Sequence, residues 1–192
     1  MEETTMTLTG LWALSRLAGM KRVKWLATSF IGAFVAPFVV CGLLDIRINI
    51  SPSLPIGLYG PTSAGAVQIV EFCPPEPYAG LAVHRGYRTA GSCPDRATPL
   101  LKPVAAREGD WVEVKQAGVV VNGRLLPNSA PSVADTAGRP LPVLRIDPTR
   151  VEPGRVWVLS SYSARSFDSR YFGPISLTSI RATLRPVLVW NR

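Results

Sequence analysis

Two serines lie in a stiff, turn-forming stretch, where residues 49–59 read N-I-S-P-S-L-P-I-G-L-Y. Ser51 and Ser53 alternate with two prolines, whose rings fix the backbone dihedral φ at about −65°. A serine becomes a nucleophile only when a neighbouring group takes its proton. The stretch therefore predicts a pre-organised hydroxyl that needs a base from elsewhere in the chain.

The first candidate for that base is Lys102, the lone charge in the apolar run L-L-K-P-V-A-A of residues 100–106. A lysine acts as a base only when neutral, which requires its pKa to fall from about 10.4 toward 7 or 8. Burial among apolar side chains lowers the pKa because it disfavours the ammonium. The alternative is a structural lysine whose stem packs on the strand. His84, the one histidine, is the other candidate base, but no motif surrounds it.

A third stretch is dense in hydroxyls and contains one acidic and two basic residues. Residues 160–173 read S-S-Y-S-A-R-S-F-D-S-R-Y-F-G. We expect Asp168 and Arg170 to pair and hold this loop, rather than to take part in the chemistry. A plain structural ion pair is the alternative interpretation.

An uncharged run of residues 25–44, W-L-A-T-S-F-I-G-A-F-V-A-P-F-V-V-C-G-L-L, precedes all three stretches. As a helix it spans about 30 Å, the thickness of a bilayer core. Lysine and arginine cluster just before it, so the positive-inside rule predicts a cytoplasmic tail at residues 1–24. Residues 45–192 then form an exported, periplasmic domain. A cleaved signal peptide is the alternative, but no small-residue cleavage site follows Leu44.

The exported part consists of short β-like runs separated by turns, which predicts a mostly β domain. Gly109–Asp110 and Asn122–Gly123 are hairpin-grade turn signals. The polar, proline-rich residues 128–142 are interpreted as a long excursion between strands. The predicted strands are Ala66–Phe72, Gly80–His84, Leu100–Ala106, Asp110–Lys115, Gly118–Val121, Val156–Leu159 and Leu184–Trp190.

The cysteines, the glycines and the net charge indicate a disulfide and argue against metal, phosphate and nucleic-acid ligands. Cys73 and Cys93 both lie in the exported part beside turn residues, and an oxidising compartment favours a disulfide between them. Closing that loop contributes about 3 kcal/mol in the chain-entropy model. The chain has no metal-ligand spacing and no phosphate-binding glycine loop. The net charge is +8, but the basic residues of the exported part are scattered singly, so nucleic-acid binding is not expected.

The serine stretch resembles the nucleophile box of the Ser-Lys signal peptidases, in which proline follows two residues after the serine. Ser53-Leu54-Pro55 has this pattern. The resemblance is closest to the TraF-type proteases of conjugative transfer, whose box is roughly N-x-T/S-x-S-x-P-x-G-L-Y. Residues 49–59 match it throughout. The resemblance implies a signal-peptidase-like β domain behind one transmembrane helix, with Ser53 as the nucleophile.

Two further boxes follow in the order found in that family. The family's general-base lysine precedes a G-D turn, as Lys102 precedes Gly109–Asp110. The box S-x-D-S-R-x-x-G is matched by residues 166–173. The resemblance implies that Ser51 helps to bind the oxyanion and that Ser166 hydrogen-bonds the base lysine.

Two departures distinguish the chain from a housekeeping signal peptidase. Leu54 stands where such enzymes usually have methionine, and too few residues separate Lys102 from Asp168 for the large extra domain of many bacterial enzymes. Both departures favour the TraF-type enzyme.

The sequence therefore predicts an inner-membrane serine endopeptidase that needs no cofactor. Its expected partners are an exported, prepilin-like precursor, membrane lipid around residues 25–44, and other components of a conjugation or type IV secretion apparatus. Whether the precursor is hydrolysed or cyclised stays open. The alternatives are a general signal peptidase and a non-enzymatic, membrane-anchored assembly protein.

Overall fold

The computed structural model describes residues 41–63 and 69–190, together with residues 35 and 39. The predicted cytoplasmic tail and most of the predicted transmembrane helix lie outside the described residues. Within the described part, none of the helices combines the length and the apolar character needed to cross a bilayer. Residues 46–192 form a compact unit of their own, and the described residues of this unit carry the three stretches singled out above.

The unit is built mainly from short strands, which confirms the prediction of a mostly β domain. Two short helices, α1 (Tyr78–His84) and α2 (Ser169–Phe172), and a 3₁₀ turn at Leu177–Ser179 interrupt them. The strands are β1 (Arg47–Asn49), β2 (Ile56–Pro61), β3 (Ile69–Phe72), β4 (Leu100–Ala106), β5 (Trp111–Lys115), β6 (Gly118–Val121), β7 (Arg124–Leu125), β8 (Ile146–Arg150), β9 (Arg155–Val158), β10 (Ile175–Ser176) and β11 (Ile180–Trp190).

The strands form two antiparallel sheets. The larger has the order β1-β2-β11-β3-β4-β9-β10, and the smaller has the order β7-β6-β5-β8. In the larger sheet, β4 pairs with β3 so that Lys102 lies opposite Val70. Because β4 belongs to the larger sheet and β5 to the smaller, the segment between them crosses from one sheet to the other.

The two predicted hairpin turns have different outcomes. Asn122 and Gly123 join β6 to β7 with φ values of 48° and 79°, the left-handed pair that a tight hairpin turn requires. Gly109–Asp110 does turn the chain, but the strands on either side belong to different sheets. The hairpin prediction at this turn was therefore wrong. The Asp110 carboxylate accepts from the Arg107 N–H and the Asn122 amide, so its contacts hold a corner rather than a hairpin.

One predicted strand is a helix. The run Gly80–His84 lies within α1, where Ala79 and Ala82 are the buried positions. Their spacing of three residues is the period of a helix face, not of a strand. A short apolar run does not distinguish helix from strand by pattern alone. Of the other predicted strands, β4 and β6 have the predicted ends and the rest are present with shifted ends. Residues 66–68 of the first predicted strand lie outside the described residues.

Local geometry explains two of the motif residues. A side chain at Gly57 would place its Cβ 2.2 Å from the Leu188 carbonyl oxygen, so glycine lets β2 and β11 pass closely. Cys73 and Cys93 are joined by a disulfide with a Cα–Cα distance of 5.8 Å. This bridge ties the chain after β3 to the loop after α1.

The core beneath the serine stretch is a cluster of four buried residues from β2, β3, β11 and the loop before β2. These are Leu54, Tyr59, Ile69 and Leu184. Leu54 is only 2% exposed, although it immediately follows Ser53. The residue after the candidate nucleophile is therefore a buried apolar anchor.

Candidate active site

The loop between β1 and β2 presents Ser53 at a bend in the chain. The Leu54 N–H faces the Ser51 carbonyl at 3.5 Å, which closes a turn around Pro52 and Ser53. Ser53 is 6% exposed, whereas Ser51 and Pro52 are exposed. The turn thus presents one nearly buried hydroxyl beside an accessible one.

Asn49 holds this turn from beneath. Its amide nitrogen donates to the carbonyls of Ser51 at 2.9 Å, Leu54 at 3.2 Å and Pro55 at 3.2 Å. Its amide oxygen accepts from the Ser51 N–H at 3.2 Å. Asn49 was matched to the family box in the sequence but given no role. The signal that it mattered was its place as the first residue of that box.

The two serines contact each other directly. Their hydroxyl oxygens lie 2.8 Å apart, and the Ser53 N–H donates to the Ser51 hydroxyl at 3.3 Å. Ser51 therefore stands beside both the hydroxyl and the amide of Ser53. This is the place from which a second hydroxyl could support an oxyanion formed by attack of Ser53.

Lys102 lies on β4, and its side chain is almost completely buried. It is 4% exposed, and burial lowers its pKa to about 8. The nearby Asp168 carboxylate opposes this effect and the Arg170 guanidinium adds to it, both more weakly than burial. A substantial fraction of Lys102 is therefore neutral in mildly alkaline solution, which is the state that a general base needs.

Ser166 lies in the same cleft, but its hydroxyl makes no hydrogen bond. It is 3% exposed, and its hydroxyl oxygen is buried without a partner. The hydrogen bond to Lys102 that the family resemblance implied is not formed in this structure. A buried hydroxyl without a hydrogen-bond partner destabilises the folded protein. The Ser166 hydroxyl is therefore available to bond an amine or a substrate group that comes within reach.

Asp168 and Arg170 form the ion pair expected from the sequence. The Arg170 Nε donates to Asp168 Oδ1 at 2.8 Å, and both side chains are fully buried. Asp168 also caps α2 by accepting from the Arg170 N–H. Arg170 donates further to the carbonyls of Asn128 and Ala164. The pair lies behind the cleft and ties the loop before α2 to the long excursion.

A cleft of about 550 Å³ brings the predicted residues together. Ser51, Ser53, Lys102 and Ser166 all line it, whereas Asp168 and Arg170 support its wall. His84 is exposed at the end of α1 and does not line the cleft. Among the described residues, no cluster of three or more histidine, cysteine or carboxylate groups is placed to hold a metal ion.

The excursion at residues 128–142 forms one wall of this cleft, which its sequence did not indicate. Asp135 fastens it by accepting from Tyr87, and also accepts from Arg139 within the excursion. These donors, with two backbone N–H groups, hold the pKa of Asp135 well below its usual range. The Tyr87 ring packs on Phe167, so the wall is continuous with the loop that carries Ser166.

Comparison with known proteins decides the family. The model of the family described as signal peptidase, peptidase S26, matches residues 20–190. The chain belongs to this family. It is 42% identical over 155 residues to the plasmid transfer protein TraF of Escherichia coli, covering 77% of this chain and 85% of that protein.

Other S26 relatives fall in two groups. The conjugal transfer protein TraF of Agrobacterium tumefaciens (strain 15955) is 35% identical over 173 residues, which cover 86% of this chain and 93% of the relative. Thylakoidal processing peptidase 1 of Arabidopsis thaliana is 34% identical over 81 residues, covering 42% of this chain and 22% of the relative. The resemblance to TraF-type signal peptidases is confirmed, and so is the predicted enzyme class. The chain is a serine-type peptidase of the S26 family.

Proposed function

We propose that this S26 peptidase cleaves an exported precursor of a conjugative transfer system, most simply a prepilin, with Ser53 as nucleophile and Lys102 as general base. The observation that carries the proposal is one cleft holding a nearly buried serine and a buried lysine whose pKa is lowered to about 8. The TraF relatives, which are 42% and 35% identical over alignments covering 85% and 93% of their length, supply the conjugative context.

The reaction follows from these groups. Neutral Lys102 takes the Ser53 proton as the hydroxyl oxygen attacks the scissile carbonyl. The Ser53 N–H and the Ser51 hydroxyl donate to the resulting oxyanion. Protonated Lys102 then gives its proton to the leaving amine, and the part of the precursor before the scissile bond stays esterified to Ser53. Water, or the amine at the precursor's own N-terminus, resolves this acyl-enzyme to a linear or a cyclic product.

The proposal includes the placement of the enzyme. A helix at residues 25–44 anchors it in the bacterial inner membrane, with residues 1–24 in the cytoplasm and residues 45–192 in the periplasm. The charge pattern around this apolar run supports that orientation. Ser53 then lies a few residues beyond the membrane, where the apolar segment of an exported precursor ends.

Two substrates test the proposal. The purified full-length protein in lipid vesicles is incubated with a conjugative prepilin and, separately, with a secretory preprotein from an unrelated pathway. We expect cleavage of the prepilin alone. Cleavage of both would make the chain a general signal peptidase, and cleavage of neither would contradict the enzyme activity proposed here. The mass of the product distinguishes the two resolutions, because a cyclic product is lighter than the linear one by one water.

The rate of cleavage should rise with pH as Lys102 loses its proton. Because burial lowers the pKa of Lys102 to about 8, kcat/KM should increase through that value and level off above it. Single-turnover rates measured from about pH 6 to about pH 10 check this. Asp168→Asn should move the midpoint to lower pH, since the Asp168 carboxylate raises the pKa of Lys102. A rate that falls or stays level through this range would contradict a neutral-lysine base.

Ser51→Ala should slow cleavage without abolishing it. Removing one oxyanion donor typically lowers kcat by about 10²–10³-fold, and KM should change little because the donor acts mainly in the transition state. Ser51→Thr should keep more activity than Ser51→Ala because it retains the hydroxyl. Single-turnover cleavage is measured beside a melting curve. Full-rate cleavage by a destabilised Ser51→Ala would mean that Ser51 merely supports the turn.

A further inference from the structure

The hydroxyl of Ser160 joins the serine loop to the distant D-S-R box. Ser160 follows β9, is fully buried, and donates from its Oγ to the backbone carbonyl of Ser53, 107 positions earlier in the chain. The same hydroxyl accepts from the Tyr162 N–H at 3.1 Å. Because a carbonyl can only accept, these two contacts fix the direction of the Ser160 hydroxyl.

The buried ion pair holds the backbone of Ser160 on both sides. The Ser160 N–H donates to Asp168 Oδ2 at 3.0 Å, and the Ser160 carbonyl accepts from Arg170 Nη2 at 2.9 Å. Neither Asp168 nor Arg170 reaches the cleft. Their contacts converge instead on Ser160, the residue that bonds Ser53.

We propose that Ser160 is a positioning residue for the nucleophile. The Asp168–Arg170 pair fixes the Ser160 backbone, and the Ser160 hydroxyl fixes the peptide plane between Ser53 and Leu54. The inference rests on the proposed role of Ser53. It gives the buried ion pair a route of action on the nucleophile that is separate from its electrostatic effect on Lys102.

The expected effect on the rate depends on how firmly the backbone around the Ser53 hydroxyl is held. Asn49 holds the carbonyls of residues 51, 54 and 55, whereas Ser160 holds the carbonyl of Ser53 itself. Without the Ser160 hydroxyl this peptide keeps only the long 3.5 Å contact from the Leu54 N–H to the Ser51 carbonyl. It can then rotate more freely, which moves Ser53 Oγ relative to the scissile carbonyl. Misplacement by about 1 Å can lower a rate by about 10²-fold.

The test compares Ser160→Ala with a matched control, Ser161→Ala, in the full-length protein. Ser161 is the neighbouring serine, lies outside the cleft, and its described hydrogen bond is made by its backbone carbonyl. Single-turnover rates are expressed per folded molecule, using a melting curve for each variant. We expect Ser160→Ala to lose about tenfold to a hundredfold in kcat, with KM nearly unchanged and the kcat–pH midpoint still near the wild-type value. Ser161→Ala should behave as wild type, and Ser160→Thr should regain activity over alanine.

Three results would overturn the inference. The first is a wild-type kcat per folded Ser160→Ala molecule. This covers the case in which the total activity falls only because part of the protein is unfolded. The second is a shifted pH midpoint, since Ser160 would then act through Lys102. The third is an equal loss in Ser161→Ala. Ser53→Ala, assayed in parallel, separates these outcomes from failure of the proposed function. Activity in Ser53→Ala would show that Ser53 is not the nucleophile, whereas the three results above concern Ser160 alone.

Discussion

Ser53→Ala should leave the precursor uncleaved, with kcat reduced by about 10⁴-fold or more, while the protein stays folded. The alanine variant lacks the oxygen that forms the acyl-enzyme in the proposed reaction. The Ser53 side chain contributes little to the core, because its neighbour Leu54 provides the buried anchor. Gel or mass-spectrometric detection of the cleaved prepilin measures the effect.

The control for this variant is Ser161→Ala, which removes a hydroxyl outside the cleft and should cleave at the wild-type rate. A folded Ser53→Ala protein that processes the precursor near the wild-type rate would exclude Ser53 as the nucleophile. Ser51 would then be the first alternative, since its hydroxyl is 2.8 Å from that of Ser53 and more exposed.

Lys102→Ala and Lys102→Met should likewise lose cleavage, by about 10²–10⁴-fold in kcat, because neither supplies a base. The methionine variant should also melt at a higher temperature. Burial lowers the pKa of Lys102 from 10.5 to about 8, which corresponds to about 3 kcal/mol of unfavourable free energy for the charged form. That cost is present below pH 8 and disappears as the pH rises toward 10.5, so the gain should be largest near neutral pH.

Lys115→Met is the matched control, because Lys115 is an exposed strand lysine paired with Glu113. Lys115→Met should leave the cleavage rate unchanged and should not raise the melting temperature. His84→Ala should retain most of the activity, since His84 is exposed outside the cleft. An active Lys102→Met protein, or a folded but inactive His84→Ala protein, would favour a histidine base instead.

The sequence predicted the parts of the site that are encoded by short boxes. Ser53 and Lys102 could be proposed because the serine between prolines, the lysine within an apolar run and the S-x-D-S-R-x-x-G box occur together, in the order found in the family. Strands such as β4 and β6 could be predicted because their apolar residues lie between clear turn signals. The Asn122–Gly123 hairpin was predictable for the same reason.

The parts that were missed depend on distant contacts. Nothing local shows that Ser160 bonds Ser53, or that Asp135 fastens the excursion to Tyr87, 48 positions away. The Gly109–Asp110 turn has the residues of a hairpin, but sheet pairing decides which strands it joins. The run Gly80–His84 is too short for its apolar pattern to separate helix from strand. The unpaired Ser166 hydroxyl depends on side-chain placement in the folded cleft.

The central claim is that the precursor becomes esterified to Ser53, and mass spectrometry of a single turnover tests it most directly. Excess full-length enzyme is mixed with the prepilin, quenched in acid at successive times and digested. We expect the peptide containing Ser53 to carry, transiently, the mass of the precursor segment that precedes the scissile bond. Precursor cleavage with this peptide unmodified at every time, or with the adduct on another residue, would contradict the Ser53 acyl-enzyme.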